Sequence, residues 1–167
     1  MAFDARLLLS LTATLTNPID LTTVSAPLTY SKQFTFSQGA GLNAADKIWH
    51  DQRTIAASGT DSLDLAGVLT DPFGATVTLA RVKGIIIYAA TGNTNNVVAG
   101  GGSNSLTNWL GGTSPTVVVR PGGILCVLAP DATAYAVTAG TADILQIANS
   151  GAGSSVTYDI IVMGASS

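Results

Sequence analysis

Thr116-Val117-Val118-Val119-Arg120-Pro121-Gly122-Gly123-Ile124-Leu125-Cys126-Val127-Leu128-Ala129 is the stretch that decides the fold class. Valines in a row, a Pro-Gly-Gly corner and a second apolar run predict two strands joined by a tight turn. Proline presets φ at the first corner and glycine accepts positive φ at the second. The expectation is a β-hairpin. Runs that are apolar on both faces need packing partners on each side, which an isolated hairpin lacks, so the rest of the chain has to supply more sheet.

Working outward, the composition agrees. The 167 residues suit one domain with a real core. All acidic residues are Asp and none is Glu, which removes a good helix former and leaves the residue that favours turns. Abundant Gly, Thr and Val point to many short strands. Charged residues are only 10% of the chain, against a usual share of about 25%. This shortage predicts that partners cover part of the surface, with Thr, Ser, Asn and Gly solvating the remainder.

Upstream, Leu9, Leu11, Ala13 and Leu15 alternate with Ser10, Thr12, Thr14 and Thr16, the period of a half-buried strand. Residues 1–20 are accordingly read as an N-terminal strand or arm that ends at a turn marked by Asn17-Pro18, and 21–167 as the main domain. Leu28, Tyr30, Lys32, Phe34 and Phe36 form a second alternating row, expected to bury against the core, with Lys32 near an edge or snorkelling to solvent. Residues 76–90 read as a long core strand, and 135–138, 143–148 and 155–163 as three more. Eight to ten strands without a long helix predict an all-β, single-domain, two-sheet β-sandwich. Its length, and the absence of an immunoglobulin Cys and Trp spacing, favour a jelly-roll-like form.

The chemistry-bearing residues are sparse. His50 is the only histidine, so a two-imidazole metal site within one chain is excluded. Asp46, Asp51, Asp61, Asp64 and Asp71 lie in one segment, but their spacing fits no EF-hand and they read as turn and cap residues. The Gly100-Gly101-Gly102 run lacks the Lys and Ser/Thr of a phosphate loop. No catalytic, cofactor or metal residue is assigned. The lone Cys126 reads as a buried structural thiol. A net charge of −3 with scattered basic residues predicts no direct nucleic-acid partner, and no apolar run is long enough to span a membrane. Trp109, flanked by glycine loops, is either a core plug or, with Leu110, a contact for a neighbouring subunit or sugar. Leu7, Leu9 and Leu11 are the candidate contacts of the arm, which is expected to add a strand to a neighbour.

Leu63-Asp64-Leu65-Ala66-Gly67, Val82-Lys83-Gly84-Ile85-Ile86-Ile87, Arg120-Pro121-Gly122-Gly123, the run from Ala134 to Asp143, and Val156-Thr157-Tyr158-Asp159-Ile160 occur in an order that resembles small β-rich structural proteins of tailed-bacteriophage particles. The resemblance covers 63–164. It implies a non-enzymatic virion protein without cofactors, of the capsid decoration or cement type. Such a protein is made in the host cytoplasm and bound to the major capsid protein at the capsid surface as a homo-oligomer, with a trimer favoured. A tail-associated or carbohydrate-binding sandwich, using Trp109, Tyr30 and Tyr135 as stacking platforms, is the alternative.

Overall fold

A computed structural model describes residues 2–112 and 114–167; it is all-β, with no helix among the described residues. The chain opens with two long strands, β1 (Asp4–Ile19) and β2 (Thr22–Gln38), followed by the two-residue β3 (Ala44–Ala45). The next strands are β4 (Lys47–Ile55), β5 (Thr60–Asp64), β6 (Ala66–Thr70), β7 (Thr76–Thr78), β8 (Arg81–Ala89) and β9 (Val97–Gly100). The last are β10 (Thr116–Val119), β11 (Ile124–Leu128), β12 (Tyr135–Ala136), β13 (Ile144–Asn149) and β14 (Val156–Ala165).

Leaving out β1, β2, β3, β6, β7 and β12, the eight remaining strands form nested antiparallel pairs. The first pairs with the last (β4 with β14), the second with the seventh (β5 with β13), the third with the sixth (β8 with β11) and the fourth with the fifth (β9 with β10). Pairing of β14 with β8, and of β13 with β9, joins them into two sheets, β11-β8-β14-β4 and β10-β9-β13-β5. Alternation then builds a two-sheet sandwich. Ile85, Ile87, Tyr158, Ile160 and Val162 from one sheet meet Val97, Ala99, Leu145, Ile147 and Leu63 from the other in one continuous core. Leu65, Val77 and Leu79 of the β6–β7 excursion extend that core.

The stretch from Thr116 to Ala129 is not the expected hairpin. Its turn is real, with Gly122 at φ 75° and the Gly123 N–H bonded to the Arg120 carbonyl at 2.7 Å, but β10 and β11 belong to different sheets. The Pro-Gly-Gly corner carries the chain from one layer to the other. Each strand is therefore a sheet edge with one open face, which leaves Val118 55% and Ile124 66% exposed. Cys126 is exposed on the outer side of β11 rather than buried. The run at 76–90 is also two strands, interrupted at Leu79-Ala80.

The N-terminal region holds a second correction. The projecting element does not end by residue 20 and does not turn at Asn17-Pro18; β1 pairs with β2 from Asp4↔Ser37 to Ile19↔Thr22, so the arm is a two-stranded hairpin that runs on to Gln38. Antiparallel partners alternate between hydrogen-bonded and non-hydrogen-bonded pairs. Ile19–Thr22 closes the two-residue loop as a bonded pair, and counting back puts Thr14–Pro27 and Pro18–Thr23 in the non-bonded class. Both prolines thus sit where no ladder N–H is required.

Candidate functional site: an amphipathic hairpin and the sheet face beside it

The register sorts the hairpin side chains onto two faces. One carries Leu7, Leu9, Leu11, Ala13, Leu15 and Ile19 from β1, opposite Phe34, Lys32, Tyr30, Leu28, Ala26 and Thr22 from β2. The other carries Arg6, Ser10, Thr12, Thr14 and Thr16 opposite Thr35, Ser31, Thr29, Pro27 and Ser25, with Leu8 its one large aliphatic residue. A sequence alternating at period 2 in both strands has produced a ribbon apolar on one side and hydroxylated on the other.

Only the root of the apolar face is covered. Phe36 is buried with Ala45 and Met163, and Phe3, Ala5 and Phe34 pack around them. From Leu8 to Gln33 every residue is exposed. The Leu28–Phe36 row, expected to bury against the core, is covered at its C-terminal end alone, and there in a small cluster with Ala45 and Met163 rather than in the main core, because the ribbon leaves the sandwich beyond Phe34. Leu9, Leu11 and Leu15 stand 55%, 53% and 76% exposed, and Leu21 at the tip 98%.

Loop contacts fasten the root. The Asn43 N–H donates to the Pro130 carbonyl at 2.7 Å, and the Ser37 N–H to the Asn43 carbonyl at 3.0 Å. Fully buried Lys83 donates from Nζ to the carbonyls of Gly41 (3.0 Å) and Asp131. Its desolvation lowers the ammonium pKa from the usual lysine value. The Asp131 carboxylate accepts the Ala134 and Thr133 N–H groups, which hold its pKa down and shape that loop.

Where the hairpin root crosses the outer face of β11-β8-β14-β4 there is a concave apolar corner of about 240 Å³, lined by Ala5, Leu7 and Phe36 on one wall and Gly84, Ile86 and Ile161 on the other. The sheet wall continues through Cys126 and Ile124 of β11 and reaches Asp159, whose carboxylate accepts a 2.8 Å bond from Gln52. Partial burial against this face raises the Cys126 thiol pKa.

The sequence candidates separate. Leu7, Leu9 and Leu11 lie together on the apolar face. Trp109 is 7% exposed within the main core, with Leu110 packed beside it, so its ring fills the sandwich under the glycine loops. His50 is exposed on the outer side of β4. Asp71 and Asp64 accept backbone N–H groups of their own turns, whereas Asp61 is a different case. It accepts Arg53 Nη2 at 3.1 Å and the Tyr158 hydroxyl at 2.8 Å, and it also pairs with Arg53 Nε, so one carboxylate ties β5 to β4 and β14 across the two sheets. The bond to Asp61 pushes the Arg53 pKa up, and burial followed by Asp61 pushes the Tyr158 pKa up. This is a structural clip between layers. Sequence spacing gives no signal for it, because its members are brought together by sheet pairing.

Among the described residues no group of three His, Cys, Asp or Glu side chains is placed to hold a metal ion, and no helix is long and apolar enough to cross a membrane. The class defined by fold and site is an all-β sandwich that presents an amphipathic hairpin. No protein-family model, curated protein or solved structure matches this chain.

Proposed function

We propose that this protein is a non-enzymatic structural protein of a tailed-bacteriophage virion, a decoration or cement protein that binds the major capsid protein on the outer shell as a homo-oligomer. One observation carries the reading: a long hairpin with an uncovered apolar face projects from a compact sandwich with a low share of charge. Apolar surface on that scale marks a protein-contact element. The nested strand pairing supports a jelly-roll form for the sandwich, and the order of motifs between residues 63 and 164 supports the virion setting.

Attachment in many copies lets a weak contact per copy hold a shell. Cryo-electron microscopy of purified particles tests the proposal. Density over the head in copy numbers set by the capsid lattice is expected. Density confined to the tail would overturn the cement role and move the reading to tail assembly or host recognition.

A further inference from the structure

The apolar face of the hairpin and the outer face of β11-β8-β14-β4 meet at one corner, and both are open. We infer that they are the two halves of one interface between copies of this chain: the hairpin of one copy lays its apolar face across the outer sheet face of a second copy. The inference rests on the homo-oligomer part of the proposed function and is independent of the particle.

Area is the first argument. Leu9, Leu11, Leu15, Ile19, Val24, Leu28 and Tyr30 are 45–76% exposed on one face, together roughly 700 Å² of surface, close to the ~800 Å² that each partner contributes to a standard stable interface. The free ribbon from Leu9 to Ile19 spans about 34 Å, long enough to cross a four-stranded sheet about 19 Å wide.

Chemical matching is the second. The opposing sheet face offers Ile48, Ile86, Cys126, Ile124 and Ile161, with Ile124 66% and Ile48 38% exposed. The hairpin's apolar face carries one charge, Lys32, and the sheet face carries one carboxylate, Asp159, whose side-chain partner among the described residues is Gln52. A cation inside an apolar ribbon is costly unless a partner anion meets it.

Closure is the third. Each copy holds both a ribbon and a receiving face, so reciprocal or cyclic exchange buries both in every copy, as closed symmetry requires. A different protein covering the hairpin would leave the sheet face open. The interface is a side-chain one. This replaces addition of a strand to the neighbour's sheet, since β4 and β11 receive the ribbon on their faces rather than at their edges.

The native Cys126 on the receiving face makes the test direct. Purified full-length chain is sized by light scattering, and single Leu9→Cys, Leu11→Cys and Leu15→Cys variants are oxidised with and without Cys126→Ser. An oligomer is expected, with at least one hairpin cysteine linking between chains to Cys126 and that link lost with Cys126→Ser. Leu11→Asp with Leu15→Asp should give a monomer whose circular dichroism and melting remain those of a folded sandwich. Lys32→Asp and Asp159→Lys should each raise the dissociation constant about tenfold, and the pair should restore it. A monomeric wild-type chain overturns the inference, and so does a link to Cys126 within one chain. Hairpin-to-hairpin links that persist in Cys126→Ser, or an oligomer that survives the double Asp variant, overturn it while leaving homo-oligomerisation standing. None of these outcomes bears on where the particle carries the protein.

Discussion

β1 and β14 both alternate apolar with other residues, yet Val156, Tyr158, Ile160 and Val162 are at most 1% exposed, whereas Leu9, Leu11 and Leu15 are at least 53% exposed. The difference lies in what faces each strand. β14 sits between β4 and β8 with a second sheet across the core, while β1 has one neighbour, β2, and nothing over its apolar side beyond the root. Period 2 specifies a strand and which of its faces is apolar; it does not say whether the cover comes from the same chain.

Truncation on the two sides should break this comparison most sharply. Leu63→Ala empties a fully packed position between the sheets and is expected to cost about 2–5 kcal/mol in urea unfolding. Leu15→Ala, measured at a concentration low enough to keep the chain monomeric, should cost less than about 0.5 kcal/mol. Equal costs would mean that the hairpin face is covered within its own chain. In the assembling chain Leu15→Ala should instead lower the midpoint in a concentration-dependent way, because association stabilises only the folded form.

The clip between the sheets comes next. Tyr158→Phe removes one bond to a carboxylate and should cost about 1–2 kcal/mol at neutral pH. Its pH dependence has a definite sign. The folded-state pKa of Tyr158 is raised by burial and by Asp61, so above the unfolded tyrosine value of about 10 the unfolded chain loses a proton that the native chain keeps. Stability from this group is complete below that value and falls as pH rises above it. Wild-type melting temperature should therefore drop in alkali with a slope that Tyr158→Phe reduces; an unchanged slope would remove Tyr158 as its source.

Much of the sandwich was legible in sequence. The alternation at Val156–Val162 and Leu9–Leu15 identifies strands, and Pro121-Gly122-Gly123 identifies a turn. The destination of that turn was not legible, because the same corner serves a hairpin and a crossing between layers; pairing partners distant in sequence decide between them. Asn17-Pro18 reads as a turn because proline usually ends a ladder, whereas the register puts Pro18 at a position that needs no N–H. The candidate site was half legible. Leu7, Leu9 and Leu11 were singled out, but their partner strand and the receiving face depend on pairings such as Leu11↔Tyr30 and Ile86↔Ile161.

Lys83→Met tests the junction between the two regions. Removing a buried ammonium relieves desolvation, while the carbonyls of Gly41 and Asp131 lose their donor. The two effects oppose, so global stability should move by less than about 1 kcal/mol. Local opening should change more: amide exchange in residues 39–46 should accelerate, with exchange in β13 unaffected. Faster exchange throughout would place Lys83 in the sandwich's stability rather than in the anchoring of the hairpin.

The smallest expected change in folding stability is that of Pro27→Thr. Pro27 pairs with Thr14 in the non-bonded class, so its nitrogen faces away from β1 and restoring an N–H adds nothing to the β1–β2 ladder. Unfolding free energy should stay within about 0.5 kcal/mol of wild type. What changes is the open edge of β2. Proline there interrupts a row of outward N–H groups that otherwise runs along Thr35, Gln33, Ser31 and Thr29 and offers a template to any passing strand. Thr in its place completes that row. The variant should therefore show normal melting and circular dichroism but faster growth of light scattering on concentration. Unchanged scattering would mean that the ribbon's edges are already shielded, and that burial of the apolar face between copies alone keeps the hairpin from aggregating.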